Sequence, residues 1–203
     1  MNLRYMGDAA LLVETRDALE AQQLRRALTA ENIRGLRQLV PGYSSLLIAV
    51  DPLIIDLDTL AERLPELVRT PEPAPVPRMH EIALRYAGND LETVASLLSM
   101  SVEEVARRHS APNYSVSFLG FAPGFAYLTG LDPKLRLPRL DTPRTYTPQG
   151  AVAMADEFTG IYPQATPGGW RVLGFATAKL FDPEASSPAL FAPGDQVRFK
   201  VIG

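Results

Sequence analysis

Phe118-Leu119-Gly120-Phe121-Ala122-Pro123-Gly124-Phe125-Ala126-Tyr127-Leu128 decides the fold class. Glycine and proline recur too closely for a helix, since one exposes backbone and the other removes a donor and fixes φ. The stretch is also too aromatic to be a solvated loop. Phe118, Phe121, Phe125 and Tyr127 need cover, so the backbone must turn sharply while its rings stay packed. Working outward, the same character persists through Leu137-Pro138-Arg139-Leu140-Asp141-Thr142-Pro143-Arg144 and Gly160-Ile161-Tyr162-Pro163. It ends in Thr166-Pro167-Gly168-Gly169-Trp170. A β domain of short strands and many turns, carrying a shaped groove, is the expectation.

The flanking segments follow that lead. Tyr114–Leu119, 172–176, 178–181 and 196–201 read as strands, with Pro193-Gly194-Asp195 as the turn before the last. Upstream, 81–86 alternates as a strand and 90–99 reads as a short helix. Ser101-Val102-Glu103-Glu104 has the capping-box pattern of a second helix that ends near His109. The first seventy residues have a different rhythm. Leu3 to Val13 reads as a strand pair turning at Gly7-Asp8, and 17–31 carries helical apolar spacing. Pro41-Gly42-Tyr43-Ser44 joins two strands, and 56–68 is a helix capped by Asp56 or Asp58. This is a small α+β layer, ferredoxin-like in plan. Pro71-Glu72-Pro73-Ala74-Pro75-Val76-Pro77 favours extended geometry and marks a hinge over 71–78. The expected domains are therefore 1–70 and 79–203.

Composition removes several classes of function. A net charge of −3 and a pI near 5.5 offer no basic field for nucleic acid. Cysteine is absent, which excludes disulfides, thiol nucleophiles and thiolate zinc sites. With only two histidines, far apart in sequence, no metal site is expected. No apolar run approaches a membrane span, and Met1–Tyr5 lacks the core of a secretory signal, so a cytoplasmic protein is expected. Neither G-x-x-x-x-G-K-[ST] nor G-x-G-x-x-G occurs, so any nucleotide contact uses no standard phosphate loop. Serines near His109 match no nucleophile elbow.

The ordered motifs Phe118–Leu128, Pro138-Arg139 with Pro143-Arg144, Gly160–Pro163 and Pro167–Trp170, with Asp195 after Pro193-Gly194, resemble one family. It is that of the 5-oxoprolinase B subunit, also called allophanate hydrolase subunit 1 and the kinase inhibitor KipI. The resemblance covers nearly the whole chain. It implies a cyclophilin-like β-barrel behind a small α+β domain, with the C and A subunits of 5-oxoprolinase as partners. The assembly would couple ATP hydrolysis to opening 5-oxoproline into glutamate, with this chain inactive alone. Two rival readings are an inhibitor of a histidine kinase and a carboxyltransferase-like subunit in urea or allophanate metabolism. The chain departs from the family pattern at Ala151, where a serine is usual, and at Phe175, where an arginine is usual.

Each candidate residue carries two readings. An imidazole ordinarily titrates near neutrality, so His109 is read either as a group for proton transfer or as a cap on a helix C-terminus. Arg139 and Arg144, each behind a proline, suit bidentate contact with a small anion, or pair with Asp132 and Asp141 on a basic loop. Phe121, Pro123, Gly124, Tyr127 and Trp170 line a ligand or fill the core. Gly168 and Gly169 offer backbone N–H groups to an anion or form a hairpin.

Overall fold

The hairpin expected at Gly7-Asp8 joins β1 (Asn2–Tyr5) to β2 (Ala10–Glu14). The computed structural model describes residues 2–69 and 76–203, without the side chains of 68 and 69. Most of the proline-rich hinge therefore lies outside the described residues. The chain divides into two compact units, Met1–Val76 and Pro77–Gly203.

In the first unit, Asp17 accepts from the Glu20 amide and starts α1 (Ala18–Ala30), as a short acidic side chain at that position should. β3 (Leu36–Pro41) and β4 (Ser45–Val50) form the second hairpin, and Asp56 caps α2 (Leu57–Arg69) through the Thr59 amide and hydroxyl. The sheet order is β1-β2-β4-β3, antiparallel throughout. Shifting β1 to the end of the chain order restores β-α-β-β-α-β, so the plan is ferredoxin-like with its edge strand moved to the front. Strand alternation sends Leu11, Val13, Leu46, Ile48 and Val50 to one face, where Leu24, Leu28, Leu60 and Leu64 of the helices bury them.

The second unit opens with β5 (Met79–Arg85), α3 (Leu91–Leu97) and α4 (Val102–Ser110), the last capped by Ser101. β6 (Tyr114–Leu119), β7 (Ala126–Thr129), β8 (Arg144–Thr147), β9 (Ala151–Ala155), β10 (Phe158–Ile161), β11 (Thr166–Gly168), β12 (Arg171–Ala176) and β13 (Gln196–Val201) follow. Seven of these strands close a barrel in the order β10-β7-β6-β13-β5-β12-β9, with β9 pairing back to β10, and β8 and β11 form a separate pair. The pairings are antiparallel except for β13 with β5. Val116, Leu128, Val152, Met154, Leu173, Val197 and Phe199 point inward, joined by Leu91 and Val94 of α3 and Val105 of α4.

One expected strand is corrected. Residues 178–181 form no strand; only Phe181 makes an isolated bridge to Ala189. The segment is instead the near limb of a wide loop, held by Leu190 N–H to the Leu180 carbonyl and Asp182 N–H to the Pro188 carbonyl. Prolines at 183 and 188 remove the donors that a longer ladder would need.

Candidate functional site

β9 is buried along its whole length, because both of its faces are covered. Val152 and Met154 enter the barrel core, while Ala151 and Ala153 join Phe125, Tyr162 and Val172 in a second cluster on the outer wall. Small side chains at Ala151, Ala153 and Gly160 let rings lie flat against the strands. A Cβ at Gly160 would stand 3.0 Å from both Phe125 and the Ala126 carbonyl, and 3.3 Å from Trp170. A larger residue there would force the two rings or the Ala126 carbonyl to give way by a few tenths of an ångström.

The opening motif supplies most of the rings. Phe125 packs edge-on to Tyr127, Tyr162 and Trp170 with centroids 5.1 to 5.5 Å apart, and Tyr127 stacks on Phe118 at 4.2 Å. These are preferred aromatic geometries. Phe121 behaves differently. It is 60% exposed, touches Phe125 and Tyr162 only by its edge, and holds a φ of 68° that bulky residues rarely adopt. Such strain gathers at functional turns. Pro123 is exposed beside it. Gly124 is buried at φ 81°, where a Cβ would meet Phe181 at 2.8 Å. A register shift between Val116 and Phe118 bends the ladder where this turn begins.

The arginine-bearing loop folds onto the same corner. Leu140 N–H donates to the Gly169 carbonyl at 2.7 Å, Arg171 Nε donates to the Pro138 carbonyl at 2.9 Å, and Arg144 pairs with Gly168 across β8 and β11. Gly168 therefore lines the corner by necessity, since a side chain there would strike the Tyr162 hydroxyl. Arg139 is exposed at the edge. Arg144 is less free than expected: Nη1 donates to the Trp170 carbonyl at 3.2 Å and Nη2 is ion-paired with Asp90. Its charge also opposes the upward pull of burial on the Tyr162 hydroxyl, which sits close by.

Asp90 carries no sequence signal beyond the start of a helix. It occupies the N-cap position of α3 but makes no side-chain cap there. Its carboxylate is spent elsewhere, accepting the Val172 amide at 2.6 Å and holding Arg144. The one hint nearby is Gly88, whose backbone crosses β12 so closely that a Cβ would overlap the Val172 carbonyl.

His109, expected to handle a proton at the ligand, lies one strand behind the corner and has no exposed surface. Thr159 commits its hydroxyl proton to the Ala153 carbonyl at 2.9 Å, so it must accept from His109 Nε2 at 2.8 Å. Nδ1 is then the acceptor for the Tyr86 hydroxyl at 2.7 Å. The ring stacks on Phe199, and burial pushes its pKa down to about 3. Neutral and fully hydrogen-bonded, it braces β10 beneath Gly160. His80 is likewise committed, at 3.0 Å from Asp195, whose carboxylate also accepts the Arg78 and Ala192 amides. No cluster able to hold a metal occurs among the described residues, nor is any helix among them long and apolar enough to cross a membrane.

Ala151 and Phe175 prove to be direct partners across β9 and β12, both set against the outer aromatic cluster. The two positions singled out in the sequence as departures are thus one local, apolar pair.

Known proteins resemble this chain in sequence and in fold. The family model for the carboxyltransferase domain, subdomain C and D, matches residues 1–191. The chain is 35% identical to the 5-oxoprolinase B subunit of Escherichia coli O157:H7, covering 96% of this chain and 93% of that protein. It is 33% identical to the 5-oxoprolinase B subunit of Haemophilus influenzae, covering 100% and 99%. Among solved structures, TTHA0988 superposes with a TM-score of 0.85 at 38% identity over the full chain. The chain spans about two fifths of that longer protein, 40% of its length. This chain belongs to the family of the carboxyltransferase domain, subdomain C and D, with relatives that are 5-oxoprolinase B subunits.

Proposed function

We propose that the chain is the B-type subunit of an ATP-dependent 5-oxoprolinase and that its aromatic corner receives the small anionic substrate. One observation carries the reading: Arg139, Arg144, Gly168, Gly169, Trp170 and the Phe121–Tyr127 turn, scattered over fifty residues, converge on one outer corner of the barrel. 5-Oxoproline is a flat, stable lactam with one carboxylate. An aromatic wall suits its ring, and guanidinium suits its carboxylate. Asp90 and the Trp170 carbonyl engage two of the five Arg144 donors, which fixes the fork and leaves the others for a ligand.

The corner is a wall rather than an enclosure, with Phe121 and Arg139 open to solvent. Opening a lactam at neutral pH needs amide activation and exclusion of bulk water. The remaining surface and the ATP chemistry are assigned to partners of the C and A types, a division consistent with this fold forming two fifths of TTHA0988. No metal is assigned to this chain, and His109 acts as a brace for β10.

Reconstitution with C-type and A-type partners tests the proposal through 5-oxoproline-dependent ATP hydrolysis. Arg144→Ala should lower kcat/KM at least tenfold, the loss expected for one charge-assisted contact of roughly 1.5 to 3 kcal/mol. Full activity in Arg144→Ala would remove the arginine from the site. Absence of 5-oxoproline-dependent hydrolysis in the wild-type complex would remove the function.

A further inference from the structure

The first unit holds a cleft of about 330 Å³ whose lining belongs wholly to that unit. Its floor is apolar, made by Ile33, Ile54, Ile55 and Leu60, and its rim carries two guanidiniums, Arg34 and Arg63. The floor is rigidly built. Asp51 N–H donates to the Gly35 carbonyl at 2.8 Å, and the Asp51 carbonyl accepts both Ile54 and Ile55 amides at 3.0 Å. Gly35 sits at φ 92°, and a Cβ there would lie 2.8 Å from Ile54, so the isoleucines press directly on bare backbone. A loop pinned at this many points keeps Ile54 47% exposed, facing open space instead of folding under the sheet.

The rim charges are available. Asp56, also in the lining, caps α2, and the Thr59 amide and hydroxyl hold its pKa below the usual range, so it stays ionised but is outnumbered by the two arginines. Arg63 reaches Glu31 at 3.3 Å with both side chains about half exposed, a pairing worth about 0–1 kcal/mol that a better acceptor displaces. Arg34 makes no ion pair among the described residues and stays exposed. A cleft of this volume lined by four apolar residues and two arginines has the make-up of a small-molecule site.

We propose that this cleft binds a small amphipathic carboxylate, its aliphatic or aromatic part on the isoleucine floor and its carboxylate between Arg34 and Arg63. The lining shares no residue with the aromatic corner.

Hexanoate is the first probe, titrated into the full ¹⁵N-labelled chain, with hexan-1-ol as the uncharged control. Saturable shifts at the amides of Gly35, Ile54 and Thr59 are expected with hexanoate. Hexan-1-ol should bind at least about tenfold more weakly, as should hexanoate to Arg34→Ala, since each comparison removes a charge-assisted contact. Arg34 is exposed, so an unchanged thermal midpoint will show that the variant is folded. No saturable shift with hexanoate overturns the proposal. So does equal binding of acid and alcohol, or undiminished binding by folded Arg34→Ala.

Discussion

Replacing His109 by glutamine should flatten the acid side of the second unit's stability profile. An unfolded imidazole takes up its proton near pH 6.5, whereas the folded ring waits until about 3 because burial disfavours the cation. Between those values the unfolded chain binds one more proton than the folded chain. Stability contributed by the neutral ring is therefore complete above pH 6.5 and is lost as pH falls, by about 1.4 kcal/mol per unit. From pH 7.5 to 5.0 the loss is about 2 kcal/mol, roughly 1 M in a urea midpoint for a domain of this size. The assay isolates the right unit, since the only tryptophan of the chain is Trp170 and its fluorescence reports the barrel alone. A His80→Gln background removes the only other imidazole. In that background His109→Gln should lower stability at pH 7.5 through weaker packing, yet show little further loss down to pH 5.0. If the glutamine variant keeps the full slope, the buried neutral ring is not its source.

Other substitutions read separate parts of the design. Gly160→Val drives a side chain into Phe125, Trp170 and the Ala126 carbonyl, costing about 1–3 kcal/mol by overpacking; near-ultraviolet circular dichroism should show the aromatic cluster disturbed. Asp90→Ala leaves the Arg144 fork and the Val172 amide without their acceptor and should cost about 3 kcal/mol. Asp90→Asn, which retains an acceptor, should cost less, and equal losses in urea melts would contradict the pairing argument. Ser101→Ala removes the acceptor for the Glu104 amide and should cost about 1 kcal/mol in the same melts.

The first unit was nearly transparent in sequence because each element announces itself locally. Asp17 and Asp56 cap helices, Gly7-Asp8 and Pro41–Ser44 turn hairpins, and apolar residues recur at the right period. The segment from 118 to 174 hid five strands, since strands of three to five residues are too short to establish a period. β9 in particular is buried on both faces, which erases the alternation that marks a half-covered strand. Most of the candidate corner was legible because aromatic, proline and arginine motifs share it. Asp90 and the burial of His109 were not, because both depend on partners fifty or more residues away, Arg144, Val172 and Thr159. A histidine at a helix end looks the same in sequence whether its ring turns out to water or in to Phe199.

The parallel seam between β5 and β13 orders events on the ribosome. These two strands lie 117 residues apart where Asp195 grips the Arg78 amide, and uniting such distant segments costs about 4 kcal/mol of chain entropy. β13 also separates β5 from β6, so a nascent second unit lacking Gln196–Val201 presents two raw edges and a half-open interior. The first unit, whose strand partners lie no more than 39 residues apart, can mature while its neighbour is still an unclosed sheet. That interval is when the barrel strands are exposed to mispairing, and when a chaperone would be needed most.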